Sequence, residues 1–531
     1  MKKLFILLLL TPFIIPHAQN LDSLYNEFLR VRGTNQNVKP QVAGKTDLPI
    51  KCGFGIVNQV KMNYQNFSPK QKIILATFLD RPKTDTSFVS PRGWFRIHYY
   101  KTGNNAPGYD IKEAAKAADS SYNYEVNILG YPPPPPDSSR GGDYRYDIYI
   151  LNEGGGTYGG TTPDQLITDS TWTSYIDIDN DFGSNYNTHG INAARVTIAH
   201  ELHHAIQMGN YIYRANDSFY YELTSTSMEE FVYDSINDYY YYIDTYFRNP
   251  HRAFSSTYID DGYSRAIWNI FLRDRFGINI IKKIWELMPA ERALNAIAKA
   301  IQQAGSDFKT EFNKFGQWTY FTGVRDNHKY FKEAAYYPLI NPTENTNSIT
   351  VSSEAVSNNF YKKYYNSSGG KDSVITLITN SDVAGGITSP VSTLSFTYTL
   401  STSLITGGKK IAENFYSKLE PQSYILTEAI VLSGNVMSAG TDYAFPQPFK
   451  YTLHNSINIP VDANGESTAQ LYIYSVDMNL VYSGLINIVS NEIISWNCLD
   501  NNGKKLGTGI YIFVAKTGDT VKKGKLVIQN D

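Results

Sequence analysis

Residues 196–210 read VTIAHELHHAIQMGN and crowd three histidines and a glutamate into five consecutive positions of a chain with nine histidines in 531 residues. The preceding INAARVTIA carries apolar residues at helical spacing and Gly209 offers a stop, so the cluster is predicted on a helix. Positions four apart lie one above the other on a helix. His200 and His204 therefore share a face and can meet one ion, while Glu201, one position round, can hold a water. This is the H-E-x-x-H arrangement of two imidazole ligands and a general base within one turn. Taken singly, such histidines would be core or surface hydrogen-bonding residues. The helical context and a glutamate at usable distance on a second predicted helix favour the metal reading.

Zinc is the expected ion, since neutral imidazole suits it and a chain with two cysteines offers no thiolate set. A catalytic zinc takes three protein ligands and keeps a fourth position open. The next acidic residue on a predicted helix is Glu222, in FYYELTSTSMEEF. Seventeen residues separate it from His204, enough for a helix end, a reversal at GNYIYRANDS and a returning helix, so Glu222 is the expected third ligand. Glu229, seven positions on, is expected to steady a ligand histidine, with Glu230 an alternative for either role. His203 lies about 100° from His204 and is expected to pack or to support the ligands from behind. Asp177, Asp179 and Asp181 alternate in DIDND; calcium binding there is one reading, and a solvated strand end is the preferred one, since the glycine and terminal glutamate of an EF-hand are missing.

Net charge of −2 without a local Lys/Arg run excludes the basic field that nucleic-acid binding needs. The N-terminus, MKKLFILLLLTPFIIPHAQN, has the basic start, short apolar core and small-residue exit of a secretory signal peptide over residues 1–19. No other stretch is long and apolar enough to cross a membrane, so a mature protein without a transmembrane segment is expected. Cys52 and Cys498 exclude a disulfide framework and leave one long-range disulfide open. Cys52, in PIKCGFG, reads as a buried small hydrophobe, or as a thiolate that caps a metal and holds an enzyme latent.

Residues 20–85 hold two helix-like stretches, LDSLYNEFLRVRG and SPKQKIILATFLDRP, and read as a packed N-terminal extension or a propeptide. From 86 to 335, strands (GWFRIHYY, YRYDIYIL, SYIDIDNDF) precede a run of helices, the order of an α+β domain. Between the first two, YPPPPPDSSRGGD reads as a rigid connector. Beyond 345 no helical period survives. The Ser/Thr/Gly/Asn-rich alternation of 345–440 and the short strands of 443–531 read as all-β sandwich regions.

The histidine motif followed by a helix with Glu222 resembles the gluzincin metallopeptidases. GWFRIHYYKTGNNAP, RYDIYIL, SYIDIDNDF, HELHHAIQ and YELTSTSMEEFVYDSINDY resemble, over residues 90–320, a family of secreted bacterial metallopeptidases with a W-x-x-E-x-x-A-x-x-M-E signature. The chain departs from it with Phe219 at the Trp position and Ser225 at the Ala position. The resemblance implies a zincin-like fold over 86–335 and a zinc endopeptidase with Glu201 as general base. It also implies a protein or peptide substrate laid along SYIDI as an edge strand, and Tyr263 as donor to the oxyanion. The last 85 residues, with FPQPFKY, LYIYSVDMNLVYSG and ISWNCLDNNGKKLGTGIYIF, resemble the C-terminal immunoglobulin-like sorting domains of the type IX secretion system. That likeness implies the secretion machinery as a partner and a secreted or cell-surface location reached through the periplasm; a plain structural sandwich is the alternative. A surface adhesion protein with a catalytically silent zincin-like domain, or a metal-dependent hydrolase of non-peptide bonds, remains open at this stage.

Overall fold

The computed structural model describes residues 21–32, 51–154, 157–257, 262–344, 348–367, 370–399, 425–432, 444, 446–452, 454–462, 466–489 and 493–530. The expected signal peptide and the stretches 33–50, 400–424 and 433–443 lie outside them. The chain is α+β and divides into two compact units, one of residues 1–341 with 354–357 and 380–392, the other of 342–353, 358–379 and 393–531.

In the first unit, α1 (Leu21–Val31), α2 (Phe54–Met62) and α3 (Pro69–Leu79) share a small core of Leu24, Phe28, Val57, Val60, Phe67, Leu75 and Leu79. A five-stranded sheet follows, from β1 (Thr86–Val89), β2 (Phe95–Tyr99), β3 (Tyr146–Leu151), β4 (Gly159–Thr168) and β5 (Thr171–Asp179), with α4 (Ile111–Tyr122) linking β2 to β3. The helices α5 (Gly190–Asn210), α6 (Ser218–Val232), α7 (Tyr240–Arg248), α8 (Ala266–Phe276), α9 (Asn279–Leu287), α10 (Ala293–Gln303) and α11 (Phe308–Tyr320) complete the predicted helical run.

The strand order is β1-β2-β3-β5-β4, with β2, β3 and β5 parallel and the two edge strands antiparallel to their neighbours. This corrects one expectation: the strand containing SYIDI is β5, which is interior and buried from Thr173 to Asp179. The edge belongs to β4, which a tight turn folds back on β5, pairing Thr168 with Thr171. Pro163 is at home there, because an edge strand has a side on which no amide is needed.

In-register neighbours point to the same face of a sheet. Ile97, Ile148, Ile176 and Thr161 therefore form one row across four strands, while Asp177 and Thr162 point the other way. Thr161 meets Glu201 of α5, so the first face carries the histidine helix. Asp177 and Thr162 meet Arg32, so the opposite face is covered from the N-terminal extension. That extension belongs to the same compact unit as the sheet.

α5 is buried almost without break from Ala193 to Gly209, so it is an interior helix with no solvent stripe. The stop expected at Gly209 is displaced, since the helix runs to Asn210 and Gly209 has another reason to be glycine. A β-carbon there would lie 2.2 Å from Cδ of Pro135. The proline loop is thus seated on the end of α5, and Asn210 Nδ2 donates to the Pro132 and Pro133 carbonyls at 3.2 and 2.9 Å.

The second unit opens with β6 (Thr343–Glu344), β7 (Ser348–Glu354), β8 (Ser357–Ser367), β9 (Gly370–Asn380), β10 (Thr393–Thr399) and β11 (Ile425–Leu432), a few of whose end residues belong to the first unit. They form sheets ordered β11-β9-β8-β6 and β10-β7. A short helix, α12 (Val383–Thr388), interrupts this stretch in the first unit, against the expectation of no helix beyond 345. The C-terminal strands are β12 (Phe449–Lys450), β13 (Ile457–Pro460), β14 (Thr468–Ser475), β15 (Leu480–Val489), β16 (Ile493–Trp496), β17 (Gly509–Thr517) and β18 (Thr520–Gln529). They hydrogen-bond in one continuous order, β12-β18-β17-β14-β15-β16-β13. β15 pairs with β14 over most of its length and with β16 at Ile488 and Val489, so the sheet turns a corner and curls, nearly closed, around Phe449, Leu471, Ile473, Trp496, Phe513 and Leu526.

Replacing a glycine inside a helix with alanine ordinarily stabilises by about 1 kcal/mol. Here the added methyl group meets Pro135, so Gly209→Ala is expected to destabilise the chain by about 1–3 kcal/mol. Urea unfolding of the two proteins checks the sign; a stabilised variant would contradict the seating of the proline loop.

Candidate metal centre

The two helices that meet at the centre arrive with their ligands already spaced. On α5, His200 and His204 are one turn apart. On α6, Glu222, Ser225 and Glu229 recur at three and four residues, one stripe facing α5. The result brings His200 Nε2 to 3.1 Å from His204 Nε2, and Glu222 Oε2 to 3.3 and 3.2 Å from these two nitrogens. Cys52 Sγ completes the group at 3.4 Å from His204 Nε2 and 3.4 Å from each Glu222 oxygen. All four residues are buried, and their ligand atoms lie within 4.8 Å of one another.

The other nitrogens of both rings are already committed. His200 Nδ1 donates to Glu229 Oε1 at 2.8 Å. His204 Nδ1 donates to Gln207 Oε1 at 2.7 Å, and Gln207 is oriented by its own Nε2, which donates to the Tyr221 carbonyl and Ser225 Oγ. Were both rings neutral, two Nε2 lone pairs would face a carboxylate oxygen with no proton between them, so the cluster calls for positive charge, as a proton on His200 or as a bound ion. Donors about 2.0–2.3 Å from one tetrahedral ion stand roughly 3.3–3.7 Å apart, close to the separations found.

The electrostatics agree. Burial disfavours charge on His200, but hydrogen bonds to Glu222 and Glu229 outweigh it and raise its pKa to about 9. Burial works against the Glu222 carboxylate as well, yet the two histidines hold it down at about 2. The cluster thus favours one positive charge at its middle. Burial, with Glu201 and Glu222 nearby, pushes the Cys52 thiol well above its ordinary range.

Glu201 does not join the ligand atoms. Its Oε2 accepts from Thr161 Oγ1 at 2.7 Å, and Oε1 is buried with no hydrogen-bond partner among the described residues. Burial pushes its pKa up to about 8, against the downward pull of His200 and the Thr161 hydroxyl. His203 points away and donates from Nδ1 to Glu125 at 2.8 Å. Burial drives His203 down and Glu125 up, toward the neutral forms of both. Glu230 leaves the centre altogether and groups with Asp234 and Glu333. Tyr263, entering α8, sets its hydroxyl 4.0 Å from Cys52 Sγ and its ring 6.2 Å from that of His200.

The solvated strand end expected at DIDND is found only at Asp181, which is exposed just past the end of β5. Asp177 is ion-paired to Arg32 at 2.8 Å, and Asp179 is buried and accepts from the amides of Glu153, Asp181 and Phe182. Their oxygens serve protein donors, and these aspartates are not among the groups of described residues that could hold an ion. Sequence reading also passed over Thr161 and Gln207, and it met Ser225 only as a departure from a signature. Gln207 alone left a trace, one helical turn beyond His204.

The family described as "Family of unknown function (DUF6055)" matches residues 100–371, just over half of the chain. The chain belongs to that family. The DUF6055 match spans His200, Glu201, His204, Glu222 and Tyr263 and begins after Cys52. No curated relative matches the chain. A solved structure of PorZ, an essential bacterial surface component of the type-IX secretion system of Porphyromonas gingivalis, is similar at 11% identity over 34% of this chain, with a TM-score of 0.14. The chain spans 30% of that protein's length, and a likeness this slight carries no argument about either fold or function.

The DUF6055 chain is expected to bind one equivalent of a divalent metal, lost in His204→Ala without unfolding. Glu229→Gln, which weakens the hold on His200, is expected to lower metal affinity about 10–100-fold. Competition with a chromophoric chelator measures both, with circular dichroism as the check on folding.

Proposed function

We propose that the chain is an exported zinc-dependent endopeptidase with a zincin-like catalytic domain. His200, His204 and Glu222 would hold the ion. The observation that carries this reading is the convergence of His200 Nε2, His204 Nε2 and Glu222 Oε2 beside a glutamate with one uncommitted buried oxygen. Nitrogen and oxygen donors with a sulfur in reach suit zinc better than magnesium or calcium.

Zinc in such a set supplies Lewis-acid polarisation of a carbonyl and makes water acidic near neutral pH. The protein's own groups do the rest. Glu201 Oε1 takes the proton of the attacking water and returns it to the leaving amine, and Thr161 keeps the carboxylate from turning away. The raised pKa of Glu201 places it near the range where a base can also act as an acid. Tyr263, whose hydroxyl stands 4.0 Å from Cys52 Sγ, would donate to the developing oxyanion. β4, the antiparallel edge strand beside α5, can bind an extended peptide by main-chain hydrogen bonds. A peptide held by its backbone is read with little regard to side chains, which favours broad specificity.

Export rests on the signal-peptide pattern of residues 1–19 and on the resemblance of 443–531 to type IX sorting domains of immunoglobulin-like fold. Among the described residues no helix is long and apolar enough to cross a membrane.

Glu201→Gln is expected to retain zinc while lowering kcat/KM on a mixed peptide library by about 10²–10⁴-fold. New termini read by mass spectrometry measure it, both in the chain as made and with Cys52→Ala alongside, because Cys52 already touches the ligands. Zinc bound and no cleavage in either background would overturn the peptidase reading.

A further inference from the structure

We infer that Cys52 is the fourth ligand of this metal centre and that residues 51–54, carried by α1–α3, plug the cleft and hold the peptidase latent. The inference rests on the zinc peptidase reading above and adds its regulation.

A catalytic centre needs an open coordination position and a path for substrate. Here neither is left. Cys52 is fully buried, and His200, Glu201, His204 and Glu222 are each at most 2% exposed. The sulfur stands at ligand separation from His204 and Glu222, and the Phe54 amide donates to it at 3.3 Å, the kind of bond that steadies a thiolate. The Phe54 ring lies flat on the His204 imidazole, with centroids 4.0 Å apart and planes 2° from parallel. No substrate can reach the ligand atoms while that ring and sulfur are in place.

The segment is also tied to the start of the edge strand. The Lys51 carbonyl accepts from the amides of Tyr158 and Gly159, at 3.0 and 3.1 Å, where β4 begins. Lys51 Nζ is buried between Glu229, at 2.6 Å, and Asp238. Gly53, at φ 67°, turns the chain from the strand edge into α2, and a β-carbon there would strike Val31 at 2.3 Å. The body behind the plug has its own core, shared by α1, α2 and α3. It joins the sheet through an extended link, 80–85, in which Lys83 and Asp85 are exposed. Coordination costs the thiol its proton, released to solvent and regained when the sulfur leaves. No oxidant or co-reactant is needed.

The test uses the full-length chain and its Cys52→Ala variant, each loaded with Co²⁺ and separately with Zn²⁺. The unsubstituted chain is expected to show a thiolate-to-cobalt charge-transfer band in the near ultraviolet, and peptide mapping should find Cys52 shielded from iodoacetamide when metal is bound. Cys52→Ala should keep one equivalent of metal, lose the band and cleave a peptide library at least about tenfold faster, because a tethered competitor has been removed. Metal bound with no thiolate band, and equal cleavage by both chains, overturns the plug and leaves the peptidase reading standing. A band lost in the variant with no cleavage by either chain supports Cys52 as ligand and overturns the peptidase reading. No metal in either chain sinks both. Lys51→Met, which keeps the sulfur but removes its anchor, is expected to raise cleavage in the same direction and guards against a folding defect peculiar to residue 52.

Discussion

Two imidazole lone pairs and a carboxylate oxygen, all within 3.3 Å of one another and all buried, repel unless positive charge sits among them. The rest of the first unit is arranged around making that geometry unavoidable. Glu229 and Gln207 fix the outer nitrogens, Ser225 and the Tyr221 carbonyl fix Gln207, and Lys51 and Asp238 extend the chain of partners from Glu229. Each bond removes a way for the rings to turn and escape. A helix as buried as α5 could not carry three histidines, a glutamate and a glutamine on any other terms, since each unpaired polar group would cost on the order of 1–3 kcal/mol.

The pleat of the sheet sorts this unit's polar chemistry into two compartments. Along β4, Thr161 turns to α5 and aligns Glu201, while Thr162 turns to the other face and meets Arg32 beside Asp177. One residue of register separates a group serving the candidate general base from one tying down the N-terminal helices. The strand proposed to receive a substrate therefore also anchors what would exclude it, on both its face and its edge. Arg81 extends this arrangement at the end of α3, with its guanidinium among Asp137, Asp147 and Asp164.

Much of this was legible because it is local. The period of INAARVTIA and the four-residue spacing of His200 and His204 follow from helix geometry alone, and the seven-residue interval from Glu222 to Glu229 placed both on one face of α6. What was misread depends on partners distant in sequence. SYIDI has the composition of any strand, and only the hairpin through β4 makes it interior; Pro163 was the available sign that the neighbouring strand lay at an edge. Gly209 read as a stop because nothing local announces Pro135, more than seventy residues earlier, against the helix. DIDND looked solvated because the residue that neutralises Asp177 is Arg32, 145 positions away.

Cys52 is the sharpest case. In sequence it is a solitary thiol in a glycine-containing turn, and burial as a small hydrophobe is the ordinary fate of such a residue. The structure makes the ordinary reading hard to sustain on physical grounds. A neutral thiol offers Glu222 only a weak hydrogen bond and leaves the two imidazole nitrogens without positive charge between them. The placement is favourable when the sulfur is a ligand, since its negative charge is then matched by the ion. The plug and the centre further share a carboxylate: one oxygen of Glu229 orients His200, and the other binds Lys51. Withdrawing the segment removes a sulfur from the ion and a cation from the group behind its ligand in a single movement. Coordination and anchoring are thus lost together, and neither holds the cleft closed once the other has gone.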